Sequence, residues 1–469
     1  MSEETDFDLS EWEQTSTKKM LSFSFGYLLV FTMISQFNTW VFYFYEVELG
    51  LPVVLLGLAF AIFAVWNMIN DPLVGYLTDR PFKWSRKWGM RFPWMMIGVI
   101  PYLIFWWLLF AVPNSLVENS DPWPLFWYLI LVTCLFDTFY SLFSTHINAG
   151  FTMYFRTDAE RRRSSAINTT VPQIIALFLG FIVPLVYVYG NRDSMILAQG
   201  LVVLILLICV VIFIPGARES EGMKEAFLRG YEEKERDSYI KTMKAAFKRK
   251  NFIATTIILA LMTLSDVTYL TAGPYFMKDV LGLPIYNMTF TRLAWFIGYI
   301  CFIPFWSNIS KKYGHAKTMK LSILLIALVY LNALWVSTLT QAIITTFIGG
   351  FVAGAFWVTI GPTNADVYDE STVDTGKHQE ATYEGIRTFF YRTAYIGTAA
   401  IIVIVHLATG YNPDPNAVQT PLAVWGVRIH RGLIPSLINF IAFIIMTIWY
   451  DLYKEKRATI QKKLREMGL

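Results

Sequence analysis

The sequence has little of what soluble enzymes and disulfide-rich domains depend on. Of its 469 residues only 16% are charged, and the three cysteines, Cys134, Cys209 and Cys301, lie far apart within apolar stretches. Cysteines so few and so scattered indicate neither a disulfide framework nor a zinc site. We also find no nucleophile and base pair, no cluster of metal ligands and no phosphate-binding glycine loop, and the connecting segments are too short for a soluble catalytic domain. We therefore expect neither an enzyme nor a bound cofactor.

Long apolar stretches are what the sequence has instead. Hydrophobic residues make up 55% of the chain, and stretches of about 20 apolar residues, the length that crosses about 30 Å of hydrocarbon, recur from end to end. They predict an all-α membrane protein with twelve transmembrane helices. The predicted spans are 20–45, 55–77, 92–112, 125–151, 167–189, 195–215, 252–276, 287–309, 318–339, 341–364, 387–409 and 432–452.

Lysine and arginine are distributed unevenly between the two ends of these spans. Of the 39, 32 fall in segments on the side of the amino terminus, and four, Arg192, Lys278, Arg428 and Arg431, fall in segments on the opposite side. The positive-inside rule predicts a multi-pass protein of the cell membrane with both termini cytoplasmic. The net charge of +4 is therefore a topology signal and does not suggest a nucleic-acid partner. Residues 1–19 lack the apolar core of a cleavable signal peptide, so we expect the first span to act as an uncleaved insertion signal.

The longest polar interruption divides the spans six and six. A short basic turn containing glycine follows the second and eighth spans, and a segment mixing acids and bases follows the fourth and tenth. Two such halves predict the major facilitator architecture, in which two pseudo-symmetric six-helix bundles rock about a central site. The linker is either a helix on the membrane surface or a solvated connection. The predicted segments are a cytoplasmic tail (1–19), a first bundle (20–215), a cytoplasmic linker (216–251), a second bundle (252–453) and a cytoplasmic tail (454–469).

Polar side chains interrupt the second apolar span, in the stretch WNMINDPLVG. Asn67, Asn70 and Asp71 are separated by three and four positions, so that on an α-helix they share one face. Pro72 follows directly and frees a backbone carbonyl one turn earlier. Two amides, a carboxylate and a loosened carbonyl predict an oxygen-rich pocket for a proton or a small hard cation. The alternative is that Asp71 holds this helix against a neighbour.

A second membrane carboxylate lies in the fourth span. Asp137 has Cys134 and Ser141 on its own helix face, at offsets of three and four, and no base nearby in that span. Arg392 in the eleventh span is the candidate partner for this carboxylate or for Asp71. A guanidinium keeps its proton, so it would hold either acid charged until substrate or cation rearranges the pair. The alternative is a static buried ion pair.

Other residues in the spans give weaker indications. Asp266 precedes a break at Gly273, where the seventh helix either lines a transport cavity or is only kinked. Trp357 is near polar residues, and its flat ring could stack on a sugar face or an acyl chain, although core packing is the commoner role of such a ring. His146 and His406 lack a second ligand at metal spacing, and we expect both to be core histidines.

Three blocks of sequence resemble one known family. WNMINDPLVGYLTDR followed by RKWGMRFPW is similar to the second helix and loop, W-D-A-I-N-D-P and W-G-x-x-x-P-W, of the glycoside–pentoside–hexuronide cation symporters, the melibiose-permease branch of the major facilitator superfamily. FWVTIGPTNADVYDE resembles the tenth-helix pattern of that family, and TGKHQEATYEGIRTFFYR resembles the entry to its eleventh helix. The blocks occur in the family's order along most of the chain.

The resemblance implies roles for individual residues. Asn70 and Asp71 fall on cation-site positions of the family, and Arg392 falls on its eleventh-helix lysine. Asp137 and Trp357 fall on an acid and a tryptophan that the sugar permeases use to hold substrate. The implied mechanism is alternating access driven by a coupling ion.

Departures from the family pattern bear on ion and substrate. Asn67 stands where sodium-coupled members carry a second carboxylate, and Cys134 replaces a threonine of that site, which favours H⁺ over Na⁺. Leu28 stands in place of a first-helix acid that grips galactosides, and Ser141 in place of a tryptophan. A lysolipid or other amphiphile, the substrate of a related vertebrate branch, is therefore the alternative to a sugar.

The sequence thus predicts a secondary active transporter that couples a cation to symport of a sugar or sugar-like solute. Membrane lipids are the expected surroundings, and nothing indicates the oligomeric state. The candidate residues are Asn67, Asn70 and Asp71 for cation coupling, Asp137, Ser141, Trp357 and Arg392 for substrate binding, and Arg80, Glu160 and Asp369 for salt bridges that close the cytoplasmic side.

Overall fold

The computed structural model describes residues 15–78, 81–155, 157–224, 247, 249–375 and 380–467. Within these ranges the chain is helical, and its only β-type pairing is one bridge between Val188 and Asn191. Eleven helices of the described chain are long and apolar enough to cross a membrane, and a further apolar helix, Phe92–Leu108, is shorter, with 17 residues. The prediction of an all-α, twelve-helix membrane protein is confirmed. Residues 225–246 of the predicted linker lie outside the described ranges.

The helices are numbered in chain order. Those of the first half are α1 Thr17–Tyr43, α2 Val53–Thr78, α3 Phe92–Leu108, α4 Trp123–Tyr154, α5 Asp158–Val186 and α6 Arg192–Ala217. Those of the second half are α7 Lys250–Thr271, α8 Met288–Tyr313, α9 His315–Leu331, α10 Leu339–Thr375, α11 in two pieces, Glu380–Tyr391 and Thr393–Thr409, and α12 Pro421–Ile448. A last helix, α13 Lys454–Met467, follows. We call the end of the molecule where α1 begins and α12 ends the termini side, and the other end the distal side.

Capping residues explain where the helix ends depart from the predicted spans. The helix α5 begins at Asp158 rather than at 167, because Thr157 and Glu160 form a capping box before the charged first turns. The helix α12 begins at Pro421 rather than at 432, where the Thr420 side chain caps the first turn and proline occupies the first helical position. Apolar content locates the part of a helix within the bilayer, whereas caps decide how far it continues beyond.

Close backbone contact holds α8 against α10. A Cβ atom at Gly298 or Gly350 would overlap a backbone carbonyl of the facing helix, at Phe347 and Trp295 respectively. Lipid chains are as apolar as the side chains, so association of membrane helices depends on such close packing. Small residues at these two positions let the helix axes approach.

Two hydrophobic cores stabilise the molecule. One fills the first half and extends across the distal side onto second-half residues such as Tyr275, Met288 and Ile402. The other lies within the second half and includes Phe252, Met319 and Met446. Because the first core crosses between the halves, packing contributes to joining them at the distal side.

Polar contacts also join the two halves at the distal side. The Thr271 hydroxyl donates to the carbonyl of Asn38 at 2.7 Å, and Arg292 Nη1 donates to the carbonyl of Gly180 at 2.7 Å. These bonds tie α7 to α1 and α8 to α5. The distal ends of the two bundles are therefore packed together.

Candidate functional site

The candidate site lies where α2, α4 and α11 meet. Helix α2 carries Asn67, Asn70 and Asp71 on one face, α4 supplies Asp137 and Ser141, and Arg392 stands between the two pieces of α11. Six of the sequence-predicted residues are brought together in this way. Helix α2 continues through position 72 without a break.

Asp71 links the two halves of the molecule. One of its carboxylate oxygens forms an ion pair with Arg392 Nη2, and the other accepts a hydrogen bond from the Ser141 hydroxyl. The side chains of Asp71 and Arg392 are 23% and 13% exposed, so the pair is only partly desolvated. A change in the charge of Asp71 would therefore act directly on the contact between α2 and α11.

Asp137 is held by the two asparagines of α2. It is 2% exposed and accepts a hydrogen bond from Asn70 Nδ2 at 3.0 Å and another from Asn67 Nδ2. The amides thus present nitrogen to the carboxylate of α4, rather than forming one oxygen cluster with Asp71. Hydrogen bonds from neutral donors favour the charged form of a carboxylate, and here they offset part of the energetic cost of burying the Asp137 charge.

A cavity lies beside these carboxylates, between the two halves, and measures about 500 Å³ when the space open to solvent is counted. Its walls combine flat aromatic rings with hydrogen-bonding groups. The lining residues are Ile34, Phe37, Asn38, Phe63, Asn67, Phe136, Asp137, Tyr140, Tyr391, Arg392 and Tyr395. Rings that can cover a ligand face, next to a few polar groups that can orient it, are typical of a site for a small organic solute.

The sequence matches the family model of the MFS/sugar transport proteins over residues 22–454. The chain belongs to this family. Its resemblance to melibiose-permease-like symporters is therefore confirmed, and it is a membrane symporter of the major facilitator type. The family and the fold are those of transporters and not of enzymes.

Several individual proteins are similar to this family member. The isoprimeverose transporter of Lactiplantibacillus pentosus is 24% identical, with 91% of this chain and 86% of that protein covered. The sodium-dependent lysophosphatidylcholine symporter 1-A of Danio rerio is 22% identical, with 85% and 79% covered. The match to the uncharacterized symporter sll1374 of Synechocystis, 32% identical, spans only 20% of this chain and 16% of that protein. Among solved structures, the nucleoside transporter NupG superimposes with a TM-score of 0.61 at 14% identity, covering 92% of this chain and all of the other, which shows the shared fold.

Trp357 of this symporter does not join the other candidate residues. It lies on α10 with 53% of its surface exposed, and it is not among the residues that line the cavity. Trp66 does contribute a contact, because its Nε1 donates to the Thr138 hydroxyl of α4 at 3.2 Å. Leu28, which the resemblance placed at a sugar-binding position, is fully buried, and α1 instead presents Asn38 to the cavity.

The three residues predicted to close the cytoplasmic side have different surroundings. Arg80 lies outside the described residues. Glu160 accepts hydrogen bonds from the backbone of Thr157 and, at 2.7 Å, from the backbone N–H of Thr15, so it caps α5 and holds Thr15, just before α1. Asp369 is half-buried near the end of α10. The role of the three in closure stays a prediction.

A buried acid of this transporter that the hydropathy pattern does not single out, Glu46, lies at the distal end of the first span. It is 2% exposed, accepts a hydrogen bond from the Tyr275 hydroxyl at 2.5 Å and contacts His406 Nδ1 at 2.8 Å. Both partners belong to the second half, so Glu46 links the halves. An acid in the last turn of a span is normally solvated and attracts no attention, and His406 was expected only to be a core residue. His146 is fully buried, with Nε2 at 2.9 Å from the Thr78 hydroxyl.

The break in α7 does not face the central cavity. Gly273 lines a separate cavity within the second half, and the Asp266 carboxylate accepts a hydrogen bond from the Tyr330 hydroxyl of α9 at 2.8 Å. The sequence left two interpretations of this break, a helix that lines the transport cavity and a simple kink. The break does not line the central cavity, but it is more than a kink. It opens space inside one bundle.

Proposed function

We propose that this symporter couples the entry of H⁺ to the uptake of a sugar or sugar-like solute by alternating access, with Asp71 as the proton-binding group. The observation that carries the proposal is the ion pair between Asp71 and Arg392. It connects the two halves next to a cavity that is lined by Arg392 itself and by the carboxylate of Asp137. Coupling requires a group that can bind a proton at a contact between the two halves that move during transport.

We infer the orientation of the carrier in the membrane from its distribution of lysine and arginine. The positive-inside rule makes the termini side cytoplasmic, so the distal side faces the exterior. The contacts of Glu46, Thr271 and Arg292 then close the external side of the cavity. We assign this arrangement to the state in which solute exchanges with the cytoplasm.

Protonation would act by removing one charge. When Asp71 takes up a proton from outside, its Coulomb attraction to Arg392 disappears, and the guanidinium becomes available to Asp137 or to a solute hydroxyl. The contact between α2 and α11 weakens at the same time. Release of the proton to the cytoplasm restores the pair and resets the carrier.

The donors around the two carboxylates support H⁺ as the coupling ion. Arg392 and Ser141 occupy the oxygens of Asp71, while Asn67 and Asn70 turn their amide nitrogens toward Asp137. A sodium ion would need several of these groups to reorient so that their oxygens face it. A proton needs one carboxylate oxygen.

The aromatic lining supports a sugar-like solute. Tyr140, Tyr391 and Tyr395 bring rings and hydroxyl groups to the same space as the Asn38 amide, a combination that suits a ring with hydroxyls on its edge and C–H groups on its face. A named sugar transporter, that of isoprimeverose, is among the relatives aligned over most of the chain.

A lysolipid is the second candidate, on the strength of the apolar part of the same cavity. Ile34, Phe37, Phe63 and Phe136 form a continuous hydrophobic wall that could hold an acyl chain. A relative of similar coverage is a lysophosphatidylcholine symporter. A transport assay distinguishes the two candidates, because the purified protein should accumulate either the sugar or the lysolipid.

Transport by purified protein in liposomes tests the proposal, with isoprimeverose and lysophosphatidylcholine as the two probes. An inward proton gradient should drive accumulation of isoprimeverose, whereas a sodium gradient at uniform pH should not. Asp71→Asn should abolish accumulation but retain exchange of labelled for unlabelled solute, because exchange needs no net proton movement. Asp266→Asn is the matched control, since this carboxylate lies outside the central cavity, and it should accumulate solute normally. Accumulation by Asp71→Asn would refute the coupling role.

A further inference from the structure

A second cavity lies within the second half near the distal side, away from the candidate transport site. It is partly open to its surroundings, has about 450 Å³ when that open space is counted, and shares no lining residue with the central cavity. The ends of α7, α8, α9, α10 and α12 surround it. Its walls are mainly apolar, with Phe276, Met277, Leu281 and Val336 among them, and the charged group on its wall is the guanidinium of Arg431.

The charge of Arg431 is not matched by an acid. Its guanidinium lies 4.1 Å from the ring centre of Tyr269 and 4.9 Å from that of Phe276, and Nη1 donates to the carbonyl of Tyr269 at 3.0 Å. Among the residues that the structure describes, no carboxylate lies within ion-pair distance. The nearby acid of α7, Asp266, is instead hydrogen-bonded to Tyr330. The remaining N–H groups of Arg431 are available to a ligand in the cavity.

Arg428, one turn earlier on α12, shows what a purely structural arginine does here. Its Nη1 donates to the carbonyls of Ala333, Leu334 and Val336 at 2.7 to 3.1 Å, and it thereby satisfies the turn that follows α9. Arg431 makes one such bond, to the carbonyl of Tyr269 in the last turn of α7, where Arg428 makes three. The break of α7 also leaves room for it, because a Cβ atom at Gly273 would stand 3.4 Å from its Nη1.

We propose that this cavity binds a phosphate-bearing group, with Arg431 holding the anion and the apolar walls covering what is attached to it. The guanidinium fork matches phosphate oxygens in a bidentate fashion. The hydroxyl of Thr345, also in the lining, is a second donor. A cation at one end and hydrophobic walls elsewhere fit the headgroup region of a phospholipid in the outer leaflet, and a free phosphate shares the same anion chemistry.

The test measures the melting temperature of the full-length protein in uncharged maltoside detergent. Phosphatidylglycerol, diacylglycerol with the same chains and inorganic phosphate are titrated separately. Phosphatidylglycerol should raise the melting temperature in a saturable manner, and diacylglycerol should not. Arg431→Gln should weaken the apparent affinity for phosphatidylglycerol by about tenfold or more, since hydrogen bonds to a charged group contribute at least that factor.

The control variant is Arg428→Gln, which should lower the melting temperature of the free protein but leave the affinity for phosphatidylglycerol unchanged. A response to inorganic phosphate that also depends on Arg431 would support the site and identify its occupant as a soluble anion. Equal stabilisation by diacylglycerol, or equal loss of affinity in the two arginine variants, would overturn the proposal. If Arg431→Gln cannot be purified, Thr345→Val decides, and an unchanged affinity in that variant counts against the site.

Discussion

The buried Glu46 offers a direct test of how the distal side is held closed. Glu46→Gln keeps the size of the side chain and one oxygen acceptor but removes the charge that both Tyr275 and His406 contact at 2.5 and 2.8 Å. Hydrogen bonds to a charged group contribute about 1.5 to 3 kcal/mol, and neutral ones about 0.5 to 1.5 kcal/mol. The closed arrangement should therefore lose about 2 kcal/mol, which changes the ratio of closed to open molecules by roughly 30-fold.

Distances between spin labels on the two distal loops report this equilibrium. Asp193 and Asn416 are exposed on the first and second half respectively, and labels attached to cysteines at these positions, with Cys134, Cys209 and Cys301 replaced, should move apart. Glu46→Gln should increase the population at the longer separation.

Glu48 provides the matched control two residues further along the chain. It accepts hydrogen bonds from the Tyr187 hydroxyl and the backbone of Gly190, both in the first half. Glu48→Gln removes a comparable charge whose hydrogen bonds stay within the first half and whose influence on the second half is the attraction of Lys278, so the separation of the labels should change much less than in Glu46→Gln. Equal shifts in the two variants, or no shift in Glu46→Gln, would refute the assignment of Glu46 to distal closure.

Two further predictions concern stability. Gly350→Ala would force a methyl group into a backbone carbonyl of α8 and should lower the free energy of unfolding by about 1 to 3 kcal/mol. The control is Gly361→Ala on the same helix, where a Cβ atom would have no atom within 4 Å. In a thermal unfolding assay this control should be neutral or slightly stabilising. Burial raises the pKa of Asp451, but hydrogen bonds from Lys456 and Asn251 outweigh it and leave the pKa below its usual value. A lowered pKa stabilises the folded state above the ordinary carboxyl range and ceases to do so as pH falls through the lowered value, so protease sensitivity of α13 should rise in that acidic window for the wild type but vary little there in Asp451→Asn. A pH profile shared by both proteins would contradict this.

The architecture could be predicted from the sequence because it depends on local properties. The length of each apolar stretch decides that a helix crosses the bilayer, and every backbone group of such a helix is satisfied within it. The helix ends were predicted less well, since Thr157 and Thr420 act as caps at positions where hydropathy had already fallen. A single capping side chain decides where such a helix begins, whatever the mean hydropathy of the residues around it.

Part of the candidate site was predictable for the same reason. Asn67, Asn70 and Asp71 share one face of α2 because helical geometry alone sets their directions. Which acid would pair with Arg392 was left open, because the answer depends on how α2, α4 and α11 approach one another. The structure pairs Arg392 with Asp71, and the amides of α2 turn to Asp137.

What the sequence alone determined is therefore the number of membrane helices, their approximate positions and the residues of each helix face. Only the tertiary structure decided which faces meet: it leaves Trp357 outside the central cavity and brings Glu46, at the end of α1, to His406 on α11. The physical reason is that periodicity within a helix follows from backbone geometry, whereas contacts between helices depend on packing over hundreds of residues of chain.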